Sequence, residues 1–367
     1  MKWIRAILKT AESQSTRITN MDLHKQLFKR QSALGENQNT DFATRNRLSG
    51  SLKPLIWDQY FEKNEQVCLI QDDLTVNVYL NGSVANTGPV YFIHHGAGLS
   101  AMSFGVMAKE LYKKDNTSTV VCFDCRGHGL TAAADETDLS LTRLVSDSEL
   151  LLKYLFNDSK RPIILVGHSM GGAVIVSLAL SLQTSYDIAG IVVVDVVEGT
   201  AINSFQFAKS VLVLKRKSFP SIESAIKYQI NTGDSSNTES ACLSVPSLLK
   251  KITTPGKPDL FTWRTNVLDT SEHWTGWYED LSKKFLSVKT AKLLVLAETD
   301  RLDKELMIAQ MQGKFQLVLF HGSGHLIQEN HPYEFANKLH QFANRNKRLD
   351  MSTIKRMVPL PHKKQDS

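Results

Sequence analysis

The chain has 367 residues, 42% of them hydrophobic and 22% charged, which suits one large or two ordinary globular domains and excludes a compositionally biased or fibrous protein. Lysine and arginine number 43 against 37 acids, a net charge of +6 that sits mainly in the two ends and in short runs such as Lys215-Arg216-Lys217. Those runs are not interleaved with aromatics, so no nucleic-acid surface is expected, and no apolar stretch is long enough to span a membrane.

Residues 1–50 are polar, without sustained period, and read as a disordered segment. Lys2, Arg5, Lys9 and Arg17 against Glu12 give the first twenty residues a faint likeness to a transit peptide, and Met21 is an alternative start. Order is expected from the aromatic cluster Trp57 to Phe61, within a domain over 51–345. Strands follow at Gln66 to Ile70 and Leu74 to Leu80, with Asp72-Asp73 supplying the turn. The buried strand Val90 to His94 runs into His95-Gly96-Ala97-Gly98, then a helix from about Ser103 to Lys113 and the strand Ser118 to Phe123. That strand leaves through Asp124-Cys125-Arg126-Gly127-His128-Gly129. Leu141, Leu144, Leu151 and Leu155 mark a helix near Leu139 to Phe156.

The β-branched run Ile163 to Val166 then passes into Gly167-His168-Ser169-Met170-Gly171, with a small-residue helical pattern behind it. After the strand Ile191 to Val194, ending at Asp195, the alternation lapses from about Gly199 to Ser287. This insertion, about 200–287, is too long for a loop and reads as a helical cap between the sixth and seventh major strands. The sheet resumes at Leu293 to Leu296 and Gln316 to Phe320, a last helix covers Pro332 to Asn344, and 346–367 form a flexible basic tail. Strands alternating with helices predict an α/β fold, a mainly parallel sheet covered on both faces. Cys68, Cys122, Cys125 and Cys242 show neither metal-ligand nor disulfide-framework spacing, which favours a reducing compartment, cytoplasm or nucleus. The basic start leaves a mitochondrial association open.

Gly-x-Ser-x-Gly between a strand and a helix is the signature of a strained turn that lifts a serine above the sheet edge. Ser169 is the candidate nucleophile. A serine hydroxyl needs a base, and the base an orienting acid, both from strand ends at the same edge. His325, in a glycine-rich loop beyond the last strand, is favoured over His321 and His331 as the base. Asp195 and Asp300 end neighbouring strands, and the residues alone do not choose between them. For the oxyanion hole, Met170 supplies one N–H, and the second is expected from Ala97 or Gly98. His168 and Arg126 are read as braces for the surrounding loops. This chemistry calls for no cofactor or metal.

The motifs now in view resemble the protein phosphatase methylesterase family of α/β-hydrolases. Carrying the resemblance are Trp57-Asp58-Gln59-Tyr60-Phe61, His95-Gly96-Ala97-Gly98, the serine turn, Val194-Asp195-Val196-Val197-Glu198-Gly199-Thr200, Asp300-Arg301-Leu302-Asp303, Gln310-Met311-Gln312-Gly313-Lys314-Phe315 and Gly324-His325. It implies an α/β-hydrolase fold and removal of the methyl ester from the C-terminal leucine of the protein phosphatase 2A catalytic subunit, the implied partner. It also carries the acid over to Asp195 and leaves Asp300 a structural or substrate-approach role. The turn at Ala97 departs from relatives, which are more glycine-rich there, but alanine still offers its N–H. Two other readings are a protein that sequesters the phosphatase without catalysis and a small-molecule carboxylesterase.

Overall fold

The computed structural model describes residues 52–69, 73–157, 159–297 and 302–346. The segment 1–50, the tail from 347 and Asp300 lie outside the described residues, as do the expectations placed on them. The main strands are β1 (Lys63–Leu69), β2 (Leu74–Asn81), β3 (Val90–His94), β4 (Thr119–Phe123), β5 (Ile163–His168), β6 (Ile188–Val194), β7 (Ala291–Leu296) and β8 (Gln316–Leu319). They form one sheet in the order β1-β2-β4-β3-β5-β6-β7-β8, with the short strand Ala132–Ala133 beside β2. β2 is antiparallel to both β1 and β4, and every pairing from β4 to β8 is parallel.

The parallel strands are apolar almost throughout because both of their faces are covered. Alternate residues go to opposite cores. Phe92, Leu165, Val193 and Leu294 join one core. Their neighbours Ile93, Ile164, Val194 and Leu293 join the other. The first core is closed by α2 (Leu141–Phe156) and α3 (Met170–Leu182). The second is closed by α1 (Gly105–Lys114) and by α11 (Pro332–Arg345), which packs on α1.

Between β6 and β7 lie α4 (Glu198–Leu214), α5 (Ile222–Asn231), α6 (Thr238–Ser247), α7 (Trp274–Tyr278) and α8 (Leu281–Ser287). The insertion departs from the helical reading in one respect. Ser218–Phe219, Leu249–Ile252 and Leu260–Trp263 form a small antiparallel sheet, in which Phe219 is buried. Leu249-Lys250-Lys251-Ile252 lacks the apolar–polar alternation by which such a strand is recognised. After β7 come α9 (Lys304–Met311) and, beyond β8, α10 (Ile327–Asn330).

Candidate active site

At the exit of β5 the backbone makes the turn that the glycine pattern predicts. Ser169 has φ 52° and ψ −118°, and α3 begins at the next residue. A Cβ on Gly167 would lie 2.1 Å from Gly171 O, and one on Gly171 would lie 2.4 Å from His94 O. Both contacts are with backbone, so neither yields to a rotamer change. Ser169 N–H donates to Val194 O at 3.0 Å, tying the turn to the end of β6.

Asp195 repeats the device one strand over. It has φ 53°, and its N–H donates to Val295 O at 2.7 Å. Two successive strand exits thus carry a non-glycine residue at positive φ, a conformation costing about 1–3 kcal/mol that clusters at functional sites. The Asp195 carboxylate is buried, accepting the Ala297 N–H at 3.1 Å on Oδ1 and His325 Nδ1–H at 2.8 Å on Oδ2. Because that carboxylate only accepts, Nδ1 carries the proton and Nε2 is the basic nitrogen of His325. Of the two residues between which the sequence left the acid open, Asp195 meets the imidazole; Asp300 is outside the described residues.

His168 braces this loop. Its Nε2–H donates to His325 O at 2.8 Å, and the two rings are 4.5 Å apart. Burial, reinforced by the positive charge His325 would bring, lowers the His168 pKa to about 3 and keeps it neutral. Arg126 likewise braces, pairing through Nε and Nη2 with both oxygens of Asp147 at 2.8 Å.

The oxyanion turn brings one correction. Gly98 N–H donates to His128 Nε2 at 2.9 Å and so is engaged away from any substrate. His128 acts as an acceptor there because its Nδ1–H donates to Arg126 O at 2.8 Å, and burial lowers its pKa to about 4. The Ala97 and Met170 N–H groups have no hydrogen-bond partner among the described residues. Cys125 N–H donates to His95 Nε2 at 3.0 Å, which fastens the start of the same turn.

One group at the site carried no sequence signal. Tyr278, the last residue of α7, places its hydroxyl 3.3 Å from Ser169 Oγ. Among the described residues that hydroxyl, rather than His325, is the hydrogen-bond partner of Oγ. In the basic run of the cap Arg216 and Lys217 are exposed, while Lys215 Nζ lies 4.3 Å from the centroid of Trp263 and the Arg216 guanidinium 5.1 Å from that of Phe219.

Comparison with known proteins shows the family to which the chain belongs. The family described as "Alpha/beta hydrolase family" matches residues 90–338. A Yarrowia lipolytica protein described as "Protein phosphatase methylesterase 1" is 37% identical over 317 residues, covering 81% of this chain and 74% of its own. The chain belongs to the protein phosphatase methylesterase family. A Caenorhabditis elegans relative, described as "Probable protein phosphatase methylesterase 1", is 36% identical over 296 residues, covering 81% of this chain and 79% of its own. Among solved structures, E-2-(acetamidomethylene)succinate hydrolase superposes with a TM-score of 0.62 at 19% identity, covering 77% of this chain and 99% of that one. At that identity it attests the fold. Family and fold together make this methylesterase family member a carboxylic ester hydrolase.

Proposed function

We propose that this protein hydrolyses the methyl ester on the C-terminal leucine of the protein phosphatase 2A catalytic subunit, with Ser169, His325 and Asp195 as nucleophile, base and acid. The reading rests above all on the 2.8 Å hydrogen bond between Asp195 and His325 at the sheet edge that carries the Ser169 turn. Ser169 Oγ attacks the ester carbonyl while its proton passes to His325 Nε2. Asp195 holds the imidazolium that forms. The carbonyl electron pair moves to oxygen, where the Ala97 and Met170 N–H groups face the charge. Collapse breaks the bond to methoxy, and His325 returns the proton so that methanol leaves. Water, deprotonated by His325, then repeats the cycle on the acyl-enzyme and releases the free carboxylate.

The phosphatase as substrate is supported by the names of the relatives and by the Asp195-to-Thr200 and Met311-to-Phe315 runs. The test is demethylation of the methylated phosphatase by wild type and Ser169→Ala. Loss of activity by roughly 10⁴-fold or more is expected for the variant. A fully active Ser169→Ala protein contradicts the assignment. Hydrolysis confined to small esters, with the phosphatase untouched, returns the protein to the carboxylesterase reading.

A further inference from the structure

The cap reaches the nucleophile through the side chain of Tyr278. The residue is 7% exposed, with its ring against Phe205 and Trp277 at centroid distances of 6.0 and 6.1 Å. It is anchored on both sides along the chain. Before it, Trp277 Nε1–H donates to Leu139 O at 2.7 Å. After it, Asp280 turns at φ 59°, and the Asp280 and Ser282 N–H groups donate to the Glu198 carboxylate at 3.1 and 3.0 Å. A phenol held this firmly needs little reorganisation before it acts, which is the property that makes a hydrogen-bond donor effective in a transition state. Burial pushes its pKa up to about 12, so the hydroxyl keeps its proton at neutral pH and can donate.

The amide of Gly98 is turned to His128, so the backbone donors at the hole are those of Ala97 and Met170, and the phenol adds a donor from the cap side. A donor 3.3 Å from Oγ is within reach of the other oxygens that share a carbon with Oγ once attack has occurred. Building on the reading of Ser169 as nucleophile, we infer that the Tyr278 hydroxyl is a catalytic group, a cap-borne donor to the oxygen that becomes negative when the ester carbonyl is attacked. In this step the Oγ–carbon bond forms, the serine proton goes to His325 Nε2, and the carbonyl π pair goes to oxygen. Tyr278 keeps its own proton and donates a hydrogen bond to that oxygen. When the carbonyl re-forms, the carbon–methoxy bond breaks, the methoxy oxygen takes the pair and His325 supplies its proton.

The test uses the full chain and a peptide ending in leucine methyl ester, with methanol release as the assay. Tyr278→Phe is expected to lower kcat about 10²-fold with KM unchanged, the typical loss of one oxyanion donor. It is also expected to weaken a peptide boronic acid, which forms a tetrahedral adduct on serine, by the same factor, while affinity for the product acid stays constant. Fluorinated tyrosines at 278 fill the same space, and log kcat is expected to follow their acidity. Unchanged kcat in Tyr278→Phe overturns the proposal. So does a rise in kcat, which would identify the hydroxyl as a restraint on Oγ. If Tyr278→Phe does not fold, an absence of any trend in the fluorotyrosine series overturns it. Ser169→Ala is run alongside: full activity there defeats the underlying nucleophile reading, whereas an inactive Ser169→Ala with a normal Tyr278→Phe defeats the Tyr278 proposal alone.

Discussion

Two regions converge on Ser169, and they hold their polar groups by different means. At the sheet edge the work is done by backbone: Ser169 and Asp195 sit at φ 52° and 53°, each with its N–H bonded to the next strand. In the cap the work is done by side chains, the Trp277 indole on Leu139 and the Glu198 carboxylate across the turn into α8. Strain locked into a sheet has no low-energy alternative close by, so the positions of Asp195 and Ser169 are set by the fold itself. A cap pinned by a few hydrogen bonds holds Tyr278 accurately but at lower cost to disturb. The difference predicts that damage at the edge is catastrophic for chemistry and that damage to the cap anchors is graded.

The largest effect should come from the edge. Asp195→Asn leaves the shape of the turn but offers an amide N–H where His325 Nδ1–H now donates, favouring the wrong tautomer. We expect kcat to fall roughly 10³–10⁴-fold, with the thermal midpoint little changed. Activity within a few-fold of wild type would break the distinction between the two regions.

The scaffold behind the edge gives a pH signature of intermediate size. His94, His128 and His168 are buried, and burial lowers their pKa values to about 4, 4 and 3. A solvated histidine titrates near 6.5. Below that pH the unfolded chain takes up protons that the native chain refuses, so stability rises with pH and is lost as pH falls from about 6.5 toward 4. Each group contributes about 1.4 kcal/mol per pH unit in that window. Chemical denaturation from pH 7 to 4.5 should show the decline, and His168→Gln should make it shallower. A pH-independent stability over that range would contradict the burial of neutral histidines at the edge.

The smallest effect belongs to the cap. Glu198→Ala removes the acceptor for the Asp280 and Ser282 N–H groups and should cost about 1–2 kcal/mol of stability. Its kcat should fall several-fold through loss of Tyr278 placement. A loss as large as that of Asp195→Asn would mean that the cap and the edge are one rigid unit.

The same contrast explains what could be read from residues. The serine turn was legible because only glycine fits at 167 and 171, and His325 because a glycine-rich loop follows the last strand. The acid was ambiguous, since in the sequence Asp195 and Asp300 each follow an apolar run that reads as a strand, and the sequence does not record which carboxylate turns toward the imidazole. The resemblance to relatives selected Asp195, and its 2.8 Å contact with His325 depends on the turn at φ 53°. Gly98 misled because a glycine turn advertises a free amide but not the histidine thirty residues on that binds it. Tyr278 was silent because a tyrosine beside Trp274 and Trp277 reads as core, and most of its surface is core.

The central claim, that the Ser169 hydroxyl opens the ester, is tested most directly by trapping the acyl-enzyme. Wild-type protein mixed with excess leucine methyl ester peptide and quenched in acid within the first turnover should carry the peptide acyl group on the tryptic fragment containing Ser169, with methanol released in equal amount. Methanol release with the acyl group on another residue would contradict the account.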